Sequence, residues 1–153
     1  MSKSRLTTLA TLMQQQKQQR DTARGHLEQA RERALAAQRQ ADDLTDYHKA
    51  FHARWGAQPG QRLDMGVLRA YQDFGQRLDH AIGLQQGACR GHDARVDQAR
   101  AQLTQRETRL ATTERLIERT ETSLAHAEDR REQRRADEAA AQRLLHHRKE
   151  YPT

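Results

Sequence analysis

Apolar positions recur along this chain at alternating steps of four and three residues, from Leu9 through Met13, Gln16, Arg20, Ala23, Leu27, Ala30, Ala34, Ala37, Ala41, Leu44, His48 and Phe51 to Trp55. Only Gln16, Arg20 and His48 interrupt the apolar character. A seven-residue recurrence held this long predicts a helix that packs one narrow stripe against a partner helix. The alanines between 30 and 41 permit close approach of that partner but bury little area each, so this section relies on the longer assembly for its stability. Gly25, inside the same helix, costs about 1 kcal/mol relative to Ala.

The rhythm resumes at Leu68 and runs through Tyr71, Gly75, Leu78, Ile82, Gln85, Cys89, His92, Val96, Ala99, Leu103, Arg106, Leu110, Thr113, Ile117, Thr120 and Leu124 to Ala127. The two seams predict two long helices, over about 4–56 and 64–147, joined by a turn over 57–63. Gly56, Pro59 and Gly60 supply the stop, because Pro has no amide hydrogen to donate and Gly accepts the left-handed conformation that ends a helix. Asp64 is a candidate cap for the second helix, and Gly66 a candidate break one turn later. A link this short favours antiparallel neighbours. The expected fold is therefore all-α, a single elongated coiled-coil domain over 1–153, with two helices in an antiparallel hairpin and the second longer than the first. At Arg131 and Glu138, the next heptad positions after Leu124, the seam turns polar. A hairpin folded about Pro59 exhausts its first helix near residues 115–120. The remainder of the second helix is expected to project alone or to meet another protein, and to end before Pro152.

Composition narrows the class further. Only 35% of the 153 residues are hydrophobic and 31% are charged, with a mean hydropathy of -1.13. That excludes a thick core and leaves helices that bury a seam. The net charge of +6 brings nucleic acid into view. However, the 27 Lys and Arg are interspersed with 21 Asp and Glu, and no basic run alternates with aromatics, so no direct nucleic-acid binding is expected. The single cysteine, Cys89, rules out an internal disulfide and points to a reducing compartment. No stretch nears the ~20 apolar residues that span a bilayer, and the N-terminus lacks the apolar core of a secretory signal. A cytoplasmic protein is expected.

Catalytic chemistry is not legible. The acidic residues stand among Arg and Lys on helical faces, where solvated pairing is their ordinary role. Cys89 falls on the seam as a small hydrophobe, and no glycine-rich loop is present to cradle phosphate. No enzyme, catalytic residue or cofactor is expected. His48 and His52, four apart, share one helical face, and His146 and His147 are adjacent, but the sequence offers neither pair a third ligand, so no metal is expected.

The large rings are concentrated instead. Outside residues 40–82 the only aromatic residue is Tyr151. Gln40, Leu44, Tyr47 and Phe51 form one stripe, and Phe74, Leu78, Ala81 and Gln85 form another at the same helical spacing. Tyr47 and Phe74 lie off the seam register. The stripes read either as a wider core sealing the hairpin end or as an exposed docking patch.

These residues also carry a resemblance. The run Leu44-x-Asp46-Tyr47-x-x-x-Phe51, followed some twenty residues later by Tyr71-Gln72-x-Phe74-x-x-x-Leu78-x-x-Ala81-Ile82, is similar to the flagellar export protein family FliJ, as is the late Arg134-Arg135-Ala136-Asp137-Glu138 run. Length, hairpin plan and basic charge agree, so the resemblance spans essentially the whole chain. It implies a non-catalytic, cytoplasmic stalk of the flagellar type III export apparatus, peripherally associated with the inner-membrane export gate. Its implied partners are the ring of the export ATPase FliI, the gate protein FlhA and the export chaperones it escorts, and the isolated protein is expected to be a monomer. Carried over by motif, the gate-facing surface is Gln40, Leu44, Tyr47, Phe51, Phe74, Leu78, Ala81 and Gln85. Rival readings are an injectisome stalk protein of virulence secretion, a basic nucleic-acid-binding coiled coil whose affinity falls steeply with salt, and a structural oligomer with the tip buried in a self-contact.

Overall fold

A computed structural model describes residues 2–56 and 64–150. The expected turn over 57–63, with Pro59 and Gly60, and the terminal Pro152 lie outside the described residues. Within them there are two helices and no strand: α1, Ser2–Gly56, and α2, Met65–Glu150. Both are rich in Ala, Gln, Arg, Glu and Leu, which lose little side-chain freedom in a helix, and neither contains proline. Asp64 stands immediately before α2, and its carbonyl accepts the first bond of the helix from the Leu68 amide at 3.0 Å, as an N-cap residue does. Gly66 does not break the helix. It lies within the first turn of an uninterrupted α2.

The helices form an antiparallel coiled-coil hairpin with the second longer than the first. Contacts between them run in opposite chain directions: Ala37 meets Gln85, His48 meets Asp79 and His52 meets Tyr71. Burial follows the heptad pattern closely. Every seam position of α1 from Leu9 to Phe51 is buried or half-buried, with Trp55 exposed, and every seam position of α2 from Leu68 to Ala127 is shielded. The core is one residue thick. Its buried members are Leu9, Ala23, Leu27, Ala37, Leu78, Leu110 and Thr113, and among the described residues no large side chain is fully enclosed.

By packing, the chain divides into two units, Arg20–Arg106 and Met1–Gln19 with Glu107–Thr153. In the first, Cys89 sits half-buried on the seam. The seam interruption at Arg20 is relieved sideways, because its guanidinium turns to Asp21 at 3.1 Å while the residue stays half-buried. In the second unit, Thr113 is buried but its hydroxyl donates to the Arg109 carbonyl at 3.2 Å, which removes most of the cost of burial. Gln16 has no such relief. Its Oε1 is buried and accepts no hydrogen bond within the protein. Shielding of α2 in this unit continues to Ala127, beyond the expected limit near 115–120, because the helices pair about a point later than Pro59, with Ala37 opposite Gln85 and His48 opposite Asp79, and Arg5 still lines a groove with Thr120, Leu124 and Ala127. From Glu128 to Glu150 every residue is exposed. Among the described residues no helix is long and apolar enough to cross a membrane.

Candidate functional site

The aromatic residues of the Arg20–Arg106 unit assemble around Phe51. Its ring stacks on Tyr71 with centroids 4.9 Å apart and planes 15° from parallel, and tilts against Phe74 at 4.8 Å. Gly75 lies beneath the ring, where a Cβ would stand 3.8 Å from Phe51 Cε1, an ordinary van der Waals contact. Tyr47 meets the edge of Phe74 at 6.2 Å, and Trp55 leans on Tyr71 at 6.4 Å. Such edge and stacked pairs add about 0.5–1.5 kcal/mol each beyond the area they bury.

The cluster is packed below and open above. Tyr47 is 54% exposed, Trp55 44% and Phe74 40%. With Phe51, Val67, Ala70 and Tyr71 they line a groove of about 360 Å³. The predicted stripes therefore separate into two roles. Leu78 is buried, and Leu44, Phe51, Ala81 and Gln85 are half-buried, so these five belong to the floor and the seam. Gln40, Tyr47 and Phe74 are exposed. Gln85 is tied down, donating from Nε2 to the Ala37 carbonyl at 2.9 Å and to Gln40 Oε1 at 3.3 Å. The stripes thus form a sealed floor beneath and an exposed apolar surface above.

Sequence reasoning missed part of the groove. By spacing, Trp55 and Tyr71 fall on the seam and outside the two predicted stripes, and Val67 falls on neither. The concentration of rings in residues 40–82 was the available signal for the first two. For Val67, 40% exposed, there was none, because a single valine at the start of a helix has no periodic partner.

Beside the rings lies a polar group joined across the two helices. His48 Nε2 is 2.8 Å from Asp79 Oδ1 and 3.0 Å from His52 Nε2, while His52 Nδ1 is 3.0 Å from the Tyr71 hydroxyl. The third partner that the sequence could not supply to the histidine pair comes from α2, thirty-one residues away from His48.

The other unit offers a different surface. Residues 128–150 of α2 carry no apolar seam, mix basic and acidic side chains, and leave Leu144 and Leu145 67% and 61% exposed.

A family model described as "Flagellar FliJ protein" matches residues 4–149. Among curated proteins none matches.

Proposed function

Since the chain belongs to the flagellar FliJ protein family, a family of non-catalytic, stalk-like components of flagellar export, we propose that it is the central stalk of the export ATPase ring and couples that ring to the export gate. The observation that carries this reading is the groove at the end of the hairpin. Three exposed rings, Tyr47, Trp55 and Phe74, stand over a floor held by Phe51 and Tyr71. Rings that are rigidly seated yet open to water are what a docking partner anchors on, because their ordering cost is already met by folding.

On this reading Gln40, Tyr47 and Phe74 touch the gate protein FlhA directly. Leu44, Phe51, Leu78, Ala81 and Gln85 hold those side chains in place. The exposed, seamless residues 128–150 meet the inner wall of the FliI ring, where alternating charge and the Leu144–Leu145 pair supply the contacts. The protein acts without chemistry of its own. A stalk that binds some conformations of the ring subunits more tightly than others shifts their populations by that difference in affinity, and the same linkage connects ring and gate. It works in the cytoplasm, at the membrane only through the gate, and also escorts emptied export chaperones.

Two measurements test the proposal. Titration of the soluble part of the gate with the full chain should give saturable binding, and absence of binding would remove the gate role. Addition of the chain to the export ATPase should promote ring formation and hydrolysis; if both stay at the level of the ATPase alone, the stalk role fails.

A further inference from the structure

The histidine pair and Asp79 hold a contradiction in hydrogen bonding. His48 Nε2 lies within bonding distance of both Asp79 Oδ1, at 2.8 Å, and His52 Nε2, at 3.0 Å. A neutral imidazole carries one ring proton, so His48 Nε2–H can serve the carboxylate, the other histidine, or a share of each, but it cannot bond fully to both. Tyr71 makes the shortage worse in a directed way. When its hydroxyl accepts from His52 Nδ1–H at 3.0 Å, the lone pair of His52 is left on Nε2, the atom that faces His48. Three electron-pair donors, two nitrogens and one carboxylate oxygen, then converge on one point, all within 4.8 Å of one another.

We propose that this point is a divalent transition-metal site, with zinc as its cation and His48 Nε2, His52 Nε2 and Asp79 Oδ1 as its protein ligands. A cation placed where the shared proton lies accepts all three lone pairs at once. The geometry is near what it needs. Metal–nitrogen and metal–oxygen bonds of about 2.0–2.2 Å in a tetrahedron put ligand atoms roughly 3.3–3.5 Å apart. The observed 2.8 and 3.0 Å separations from His48 Nε2 therefore have to open by a few tenths of an ångström, while His52 Nε2 and Asp79 Oδ1, within 4.8 Å of each other, have to settle at the same spacing. Two histidines four residues apart on one helical face are a recurring metal-holding arrangement. The mixed imidazole and carboxylate set selects zinc and its neighbours in the first transition row over magnesium or calcium. Tyr71 is the outer partner that orients a ligating histidine.

Three protein ligands leave a position open on the exposed side of the cluster, for water or for a donor from a bound protein. The cation would also staple α1, through His48 and His52, to α2, through Asp79. Since the ring of Tyr71 stacks on Phe51 while its hydroxyl steers His52, zinc occupancy braces the floor of the aromatic groove. The site adjoins the groove, but its assignment does not depend on the gate and ring contacts proposed above, and its test uses no partner protein.

The full chain, stripped with a chelator, is titrated with zinc chloride by calorimetry and melted with and without the metal. His52 and Asp79 are exposed, so His52→Gln and Asp79→Asn leave the helices intact, which circular dichroism checks. The parent chain should bind one zinc and gain roughly 5–10 °C in melting temperature at a hundredfold excess over Kd. Each variant should lose at least tenfold in affinity and most of that gain, whereas a His146→Gln/His147→Gln chain should retain both. Zinc affinity unchanged in the His52 and Asp79 variants, loss confined to the His146/His147 chain, or no saturable binding by the parent would each overturn the assignment.

Discussion

Replacing Tyr47 by Ala separates docking from folding more cleanly than any other change at the hairpin end. Tyr47 lies off the seam and is 54% exposed, and among the described residues its one ring neighbour is Phe74 at 6.2 Å. An aromatic side chain presents on the order of 200 Å², so roughly 100 Å² of this ring faces water in the free protein. If the gate covers it, about 25 cal/mol per Å² gives about 2.5 kcal/mol, and Tyr47→Ala should weaken gate binding between ten- and hundredfold. The folded hairpin loses the edge contact with Phe74, worth about 0.5–1.5 kcal/mol, which lowers the melting temperature by only a few degrees for a chain of this size. Tyr47→Phe keeps the ring and should bind within about threefold of the parent if contact area is what matters. Isothermal titration of the gate's cytoplasmic domain gives Kd, and circular dichroism gives helicity and melting. Unchanged Kd for Tyr47→Ala at native helicity would refute the assignment of this ring to the docking face.

Other expectations concern the seam. Gln16→Leu removes a buried carbonyl oxygen without a partner and fills a heptad position, so thermal melting should show a gain of about 1–3 kcal/mol. Gly25→Ala meets nothing within 4 Å and should stabilise by about 1 kcal/mol through helix propensity alone, read as a shift in the urea midpoint at constant slope. Leu27→Ala, at a site 6% exposed, should cost about 2–5 kcal/mol in the same urea series. A Gln16→Leu protein that melts lower than the parent would mean that the amide finds a partner in solution.

The two helices, their seams and the loss of the seam beyond Ala127 were legible in the residues themselves. Heptad spacing is one-dimensional information: a residue's place on the stripe depends only on its distance along its own helix, and burial follows that count from Leu9 to Phe51 and from Leu68 to Ala127. Even Gln16, an evident interruption in the pattern, is drawn into the seam by its apolar neighbours, although the orphaned oxygen it leaves there was not readable.

What lies between the helices is another matter. That Tyr47 remains open while Leu78 is sealed, that Val67 completes a groove, and that Asp79 arrives beside His48 all depend on the register of α1 against α2. Register is decided by how the full lengths of both seams interlock, and a shift of one residue would carry Asp79 about 100° around the axis of α2, or His48 as far around that of α1, and part the two. Only the folded hairpin, through that register, brings the histidine pair its third ligand.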